Sequence, residues 1–271
     1  MEDLKIYGEQ TPPLYNASIH QPVPTITPYF LKDAEDTACV LECAGGGDCV
    51  RAEYEAGVVA EFFHECGFHA AVLNYRVNPY RYPAALLDAQ RAIRFLRCHA
   101  KEFGIAANKI AILGFSAGGH LAGSCTLLEE EAPFHDEVDS YSGRPDACIL
   151  CYPVIWMEGE YHHSGSRRAL LGKNPEDEVL HKQNLTLQVT DDTPPCFIWH
   201  CADDETVPVQ NSLQFAQALS QHKVPYALHI FPKGGHGSGL ADGIFGTESW
   251  KDLCSGWLFE QFTDESYFIE D

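Results

Sequence analysis

Residues 109–120 read Lys-Ile-Ala-Ile-Leu-Gly-Phe-Ser-Ala-Gly-Gly-His, an apolar run of strand character that ends in small residues and continues into helix-forming sequence. Gly114-Phe115-Ser116-Ala117-Gly118 satisfies G-x-S-x-G, in which glycines on both sides let the chain bend sharply enough to lift a serine oxygen above a sheet. A bare match of this kind arises by chance in about one chain of this length in ten, given ordinary glycine usage. The context carries the weight: Ile110, Ile112 and Leu113 precede the turn, and His120-Leu121-Ala122 follow it. Ser116 is the candidate nucleophile, and the competing reading is a structural turn that packs closely.

The rest of the chain alternates in the same manner. Strand signals fall at Thr37–Cys43, Ala70–Val77, Asp146–Ile155, Cys196–His200 and Tyr226–Phe231. Helical spacing falls at Tyr54–Cys66, Ala84–Phe103, Val209–Gln221 and Trp250–Phe262. This β-α-β order predicts an α/β fold with a mainly parallel sheet and helices on both faces. One domain over 1–271 is expected, since 45% apolar residues suffice to bury a single large core. Residues 1–36 read as irregular chain with one or two edge strands, at Ser18-Ile19-His20 and Thr25-Ile26-Thr27. Residues 156–193 break the alternation and read as a small insertion over the active face.

A serine hydroxyl is a poor nucleophile at its own pKa, so Ser116 needs a base, and that base needs an acid to orient it. His236, in Phe231-Pro232-Lys233-Gly234-Gly235-His236-Gly237, follows the last strand with glycine on both sides and is the candidate base. His120 reads as a helix residue packing beneath the site, and His64, His162 and His163 have no comparable placement. The acid falls in His200-Cys201-Ala202-Asp203-Asp204-Glu205-Thr206-Val207-Pro208, after a buried strand, where two aspartates compete. A tetrahedral intermediate also needs donors for its oxyanion. The Ala117 N–H beside the nucleophile and the amides of Gly46 and Gly47, in the run Gly45-Gly46-Gly47 after the strand at Thr37–Cys43, can supply them.

Net charge is −21, a field that repels phosphate backbones and anionic membrane surfaces, so no nucleic-acid or membrane partner is expected. No transmembrane span and no secretory signal are visible, the chain opening on Met1-Glu2-Asp3-Leu4. Eleven cysteines, several inside apolar runs, fit a reducing, cytoplasmic compartment. Cys148 and Cys151 form a C-x-x-C on a strand, where that spacing points the thiols to opposite faces, against a metal or redox pair. A homo-oligomer is compatible with the sequence, which does not fix the state.

With these motifs together, the chain resembles α/β-hydrolases of the esterase/lipase superfamily, closest to the acetyl esterase and feruloyl-esterase-like group of sugar or xylan esterases. The resemblance runs from about residue 38 to 262. Its carriers are Ala44–Gly47, Asn74-Tyr75-Arg76, Tyr82–Ala89, Gly114–Ala122, Asp203–Pro208 and Gly235-His236-Gly237. The hydrolase pattern H-G-x-x-D-x-x-V-P selects Asp204 over Asp203 as the acid. The resemblance implies carboxylic-ester hydrolysis of a small-molecule substrate, acetyl from a hydroxylated or carbohydrate alcohol being the first expectation, with no cofactor and no metal. Ala44 stands where many relatives have His or Pro, and Asp48 where they have an aromatic residue. Phe115 inside the elbow favours the sugar-esterase branch. A serine peptidase of the same fold and a non-catalytic binding protein on the same scaffold are the alternatives.

Overall fold

The computed structural model describes residues 2–129 and 134–263. Eight strands form one sheet: β1 Leu4–Lys5, β2 Thr25–Tyr29, β3 Thr37–Cys43, β4 His69–Asn74, β5 Ile105–Phe115, β6 Ala147–Cys151, β7 Cys196–Cys201 and β8 Tyr226–Phe231. Their order across the sheet is β1-β2-β4-β3-β5-β6-β7-β8. The two strands at one edge run antiparallel and the other six pair in parallel, the arrangement of an α/β-hydrolase.

The central strands are apolar on both faces because helices cover both. Cys39, Leu41 and Cys43 of β3 face one core together with Cys148 and Leu150 of β6, under α2 Ala84–Cys98, α4 Ser116–Leu127 and α7 Gln210–Gln221. Ala38 and Val40 face the other with Ile149 and Cys151, under α1 Gly57–Glu65 and α8 Trp250–Phe262. Cys148 and Cys151 thus lie on opposite faces, as their spacing requires. All eleven cysteines are free thiols.

Several boundaries depart from the sequence pattern. The helix expected over Ala84–Phe103 is two helices, α2 and α3 Ala100–Phe103, separated at His99. The strand expected to Ile155 stops at Cys151, because Tyr152 takes a left-handed φ of 36° and turns the chain across the sheet end. Ser18-Ile19-His20 forms turns and not an edge strand. Residues 156–193 carry α5 Ser164–Leu171 and α6 Asp177–Gln183.

The N-terminal segment is tied down by a buried ion pair. Arg76 holds Asp88 through Nη2–Oδ1 at 2.7 Å and Nε–Oδ2 at 2.9 Å, with both side chains essentially inaccessible. The Tyr7 hydroxyl donates to Asp88 Oδ1 at 2.8 Å, and Arg76 Nη1 donates to the Pro13 carbonyl. Removing one partner of such a pair leaves a buried charge uncompensated and costs about 3–5 kcal/mol. Asp88→Asn is therefore expected to lower unfolding free energy by that amount, measured by urea titration. A loss under about 1 kcal/mol would show that the pair contributes little beyond its packing.

Candidate active site

The strand β5 passes into α4 with no intervening loop, and Ser116 opens the helix with φ 53°. A non-glycine residue in the left-handed region costs about 1–3 kcal/mol and persists only where its surroundings impose it. The flanking glycines make the bend possible. A Cβ on Gly114 would stand 2.1 Å from the Gly118 carbonyl oxygen, and one on Gly118 would stand 2.1 Å from that of Cys43. Phe115 points into the core below, against Tyr152 and Trp250 at centroid distances of 5.6 and 5.9 Å.

Ser116 Oγ lies 2.8 Å from His236 Nε2, and His236 Nδ1 lies 2.7 Å from Asp204 Oδ2. The three residues named from sequence are thus one hydrogen-bonded line, gathered from the ends of β5, β7 and β8. A carboxylate at Nδ1 puts a proton there and leaves Nε2 as the acceptor facing the serine. The ring is braced from the side by Tyr152, edge-on at 5.0 Å.

Asp204 is buried and fully engaged. Its Oδ1 accepts the Thr206 and Val207 N–H groups, both at 2.9 Å, while Oδ2 also accepts from His200 Nε2 at 3.1 Å. His200 Nε2 shares its proton with the Val207 carbonyl at 3.0 Å, and its Nδ1 accepts the Ser212 hydroxyl at 2.8 Å. Burial pushes the Asp204 carboxyl up, but the hydrogen bonds from His200, His236 and Val207 outweigh it and hold the group well below the usual carboxylate range. Asp203 does something else. Its carboxylate accepts the N–H groups of Gly235 at 2.9 Å and Gly234 at 3.3 Å, so it shapes the loop that carries His236.

Gly46, Gly47, Ser116 and His236 line one cleft of about 160 Å³, with Tyr54, Glu55, His163, Thr206 and Gly237 completing it. Among the described residues no hydrogen bond uses the N–H of Gly46 or Gly47, and the Ala117 N–H falls in the first turn of α4, where the helix supplies no partner. The glycine run is held from behind by Glu55, whose Oε2 accepts the Gly45 N–H at 2.8 Å and whose Oε1 accepts the Tyr152 hydroxyl at 2.5 Å. Tyr152 Oη in turn accepts the Gly239 N–H at 2.9 Å. Burial raises the Glu55 pKa against the lowering effect of these bonds.

Sequence reading did not single out Glu55 or Tyr152, and it set His163 aside. His163 lines the cleft as the N-cap of α5. His120 lies buried beneath the site, bonded through Nε2 to the Gln183 carbonyl at 2.9 Å, and burial lowers its pKa to about 4. Among the described residues no three His, Cys, Asp or Glu side chains converge in a way that would hold a metal ion. No helix there is long and apolar enough to cross a membrane.

Fold and geometry define an α/β-hydrolase with a serine, histidine and aspartate in line at the ends of parallel strands. The BD-FAE family model matches residues 31–219, and the chain belongs to that family. It is 37% identical to Endo-1,4-beta-xylanase B of Butyrivibrio fibrisolvens over 97% of this chain, and 31% identical to an acetylxylan esterase of Xylanibacter ruminicola over 78% of it. The matches span 43% of the length of each of these relatives. Among solved structures, an acetyl ester-xyloside bifunctional hydrolase from Caldicellulosiruptor lactoaceticus superposes with a TM-score of 0.91 at 43% identity, covering 96% of this chain and 95% of that one.

Proposed function

We propose that this chain is a serine esterase that removes acetyl and other small acyl groups from hydroxyls of a carbohydrate. The observation that carries the proposal is the 2.8 Å contact of Ser116 Oγ with His236 Nε2, backed by Asp204 at 2.7 Å. Ser116 Oγ attacks the ester carbonyl as its proton passes to His236 Nε2. The amides of Gly46, Gly47 and Ala117 receive the oxyanion, and Asp204 stabilises the imidazolium. His236 then gives the proton to the departing alcohol oxygen. A water, deprotonated by His236, releases the acid from Ser116. Side chains of the chain itself carry every proton in this sequence, and no cofactor enters it.

Two considerations favour a small acyl group on a sugar. The cleft, at about 160 Å³, is small beside the roughly 300–1,000 Å³ of ordinary ligand pockets. Two of the similar proteins, the acetylxylan esterase and the acetyl ester-xyloside hydrolase, carry names that join acetyl esters to xylan or xylosides, and a third is named a xylanase. The same reading takes 1–271 as one hydrolase domain with 156–193 as a cap-like insertion. Its eleven free thiols suit a reducing, cytoplasmic setting.

The test is hydrolysis of p-nitrophenyl acetate, butyrate and octanoate alongside acetate release from an acetylated xylo-oligosaccharide. The expected result is a rate that falls with chain length, together with acetate release from the sugar. Fastest turnover of the octanoate would move the activity to a lipase-like carboxylesterase. No turnover of any ester would overturn the proposal and return the peptidase and binding-protein alternatives.

A further inference from the structure

The cap-like insertion brings into the cleft one side chain that the ester chemistry does not use. His163 is the N-cap of α5, and it lines the cleft with Ser116, His236 and Thr206. Its Nδ1 accepts the Ser166 backbone N–H at 3.2 Å. An amide N–H can only donate, so this bond fixes the ring proton on Nε2.

The ring is also held from behind. The Ser166 hydroxyl, fully buried, donates to the same Nδ1 at 2.9 Å. Nε2–H is the one polar edge of the imidazole left without a protein acceptor among the described residues. Burial and the neighbouring His236 lower the His163 pKa, so the ring is neutral at neutral pH and donates without carrying a charge.

Which part of a substrate this donor meets follows from the reaction. His236 must deliver its proton to the departing alcohol oxygen, so the alcohol lies on the His236 side of the cleft and away from the oxyanion amides. His163 and His236 line the same cleft. We propose that His163 Nε2–H donates a hydrogen bond to a sugar hydroxyl oxygen next to the scissile ester, making His163 a specificity-determining residue for polyhydroxylated alcohols. This inference rests on the esterase reading above.

His163→Asn tests it. Asparagine is among the best N-cap residues and can accept the Ser166 N–H, so α5 keeps its cap while the Nε2 donor is lost. The readout is kcat/KM on an acetylated xylo-oligosaccharide against kcat/KM on p-nitrophenyl acetate, whose alcohol has no hydroxyl beside the ester. The expected loss is about tenfold on the sugar ester, the scale of one net hydrogen bond, and under about twofold on p-nitrophenyl acetate. Equal losses on both substrates would show a structural role and overturn the proposal. So would an unchanged ratio, or a wild type that cleaves p-nitrophenyl acetate but releases no acetate from the sugar. A wild type inactive on both esters would instead overturn the esterase reading, and this inference with it.

Discussion

Ser116→Ala is expected to lower kcat on p-nitrophenyl acetate by about five to six orders of magnitude, the scale seen when the nucleophile of a serine hydrolase is removed. Alanine fills the same space short of one oxygen, and it meets the left-handed φ of 53° with a strain like that of serine. The variant should therefore fold with a nearly unchanged melting temperature, which separates lost chemistry from lost structure. KM should change little, because Oγ contributes mainly once it attacks. His236→Ala should cost about as much, and the double variant little more, since the two groups act as one unit 2.8 Å apart. Turnover by Ser116→Ala within tenfold of wild type would mean that the hydroxyl above the sheet is not the nucleophile. Additive losses in the double variant would mean that His236 acts independently of it.

The parts of this arrangement that sequence exposed are those with a local physical cause. Apolar runs bounded by turn residues fixed β3 and β8 to the residue, although only β3 is buried on both faces and β8 is a half-buried edge strand. Ser116 and His236 were legible for a related reason: each sits where a strand ends in glycines. The helix break at His99 was invisible, because Leu96 and Ala100 continue the same apolar face across it, and periodicity reports faces and not hydrogen bonds. Glu55 and Tyr152 meet across 97 residues of sequence, and no spacing rule connects them. His163 lies in residues 156–193, where no periodic signal points toward the cleft it lines. The Arg76–Asp88 pair stands between: both residues lie in motifs that marked the family resemblance, but their contact came only from the fold.

The choice between the two neighbouring aspartates carries the second large effect. Asp204→Asn is expected to lower kcat by about 10⁴, because an amide cannot hold the Nδ1–H tautomer of His236 or stabilise the imidazolium as a carboxylate does. Asp203→Asn should stay within about tenfold of wild type, since an amide oxygen can still accept from Gly234 and Gly235. Steady-state kinetics on p-nitrophenyl acetate compares the two, and an ordering with Asp203→Asn as the worse variant would reverse the assignment. Stability supplies an independent reading. A carboxyl held below its unfolded value stabilises the protein above the ordinary carboxylate pKa, near 4, and that contribution fades as pH falls through the lowered folded value. The gap in melting temperature between wild type and Asp204→Asn should therefore be widest at neutral pH and narrow in acid. A gap that stayed constant from pH 7 to pH 3 would place the cost in packing and not in the charge that His200 and His236 share.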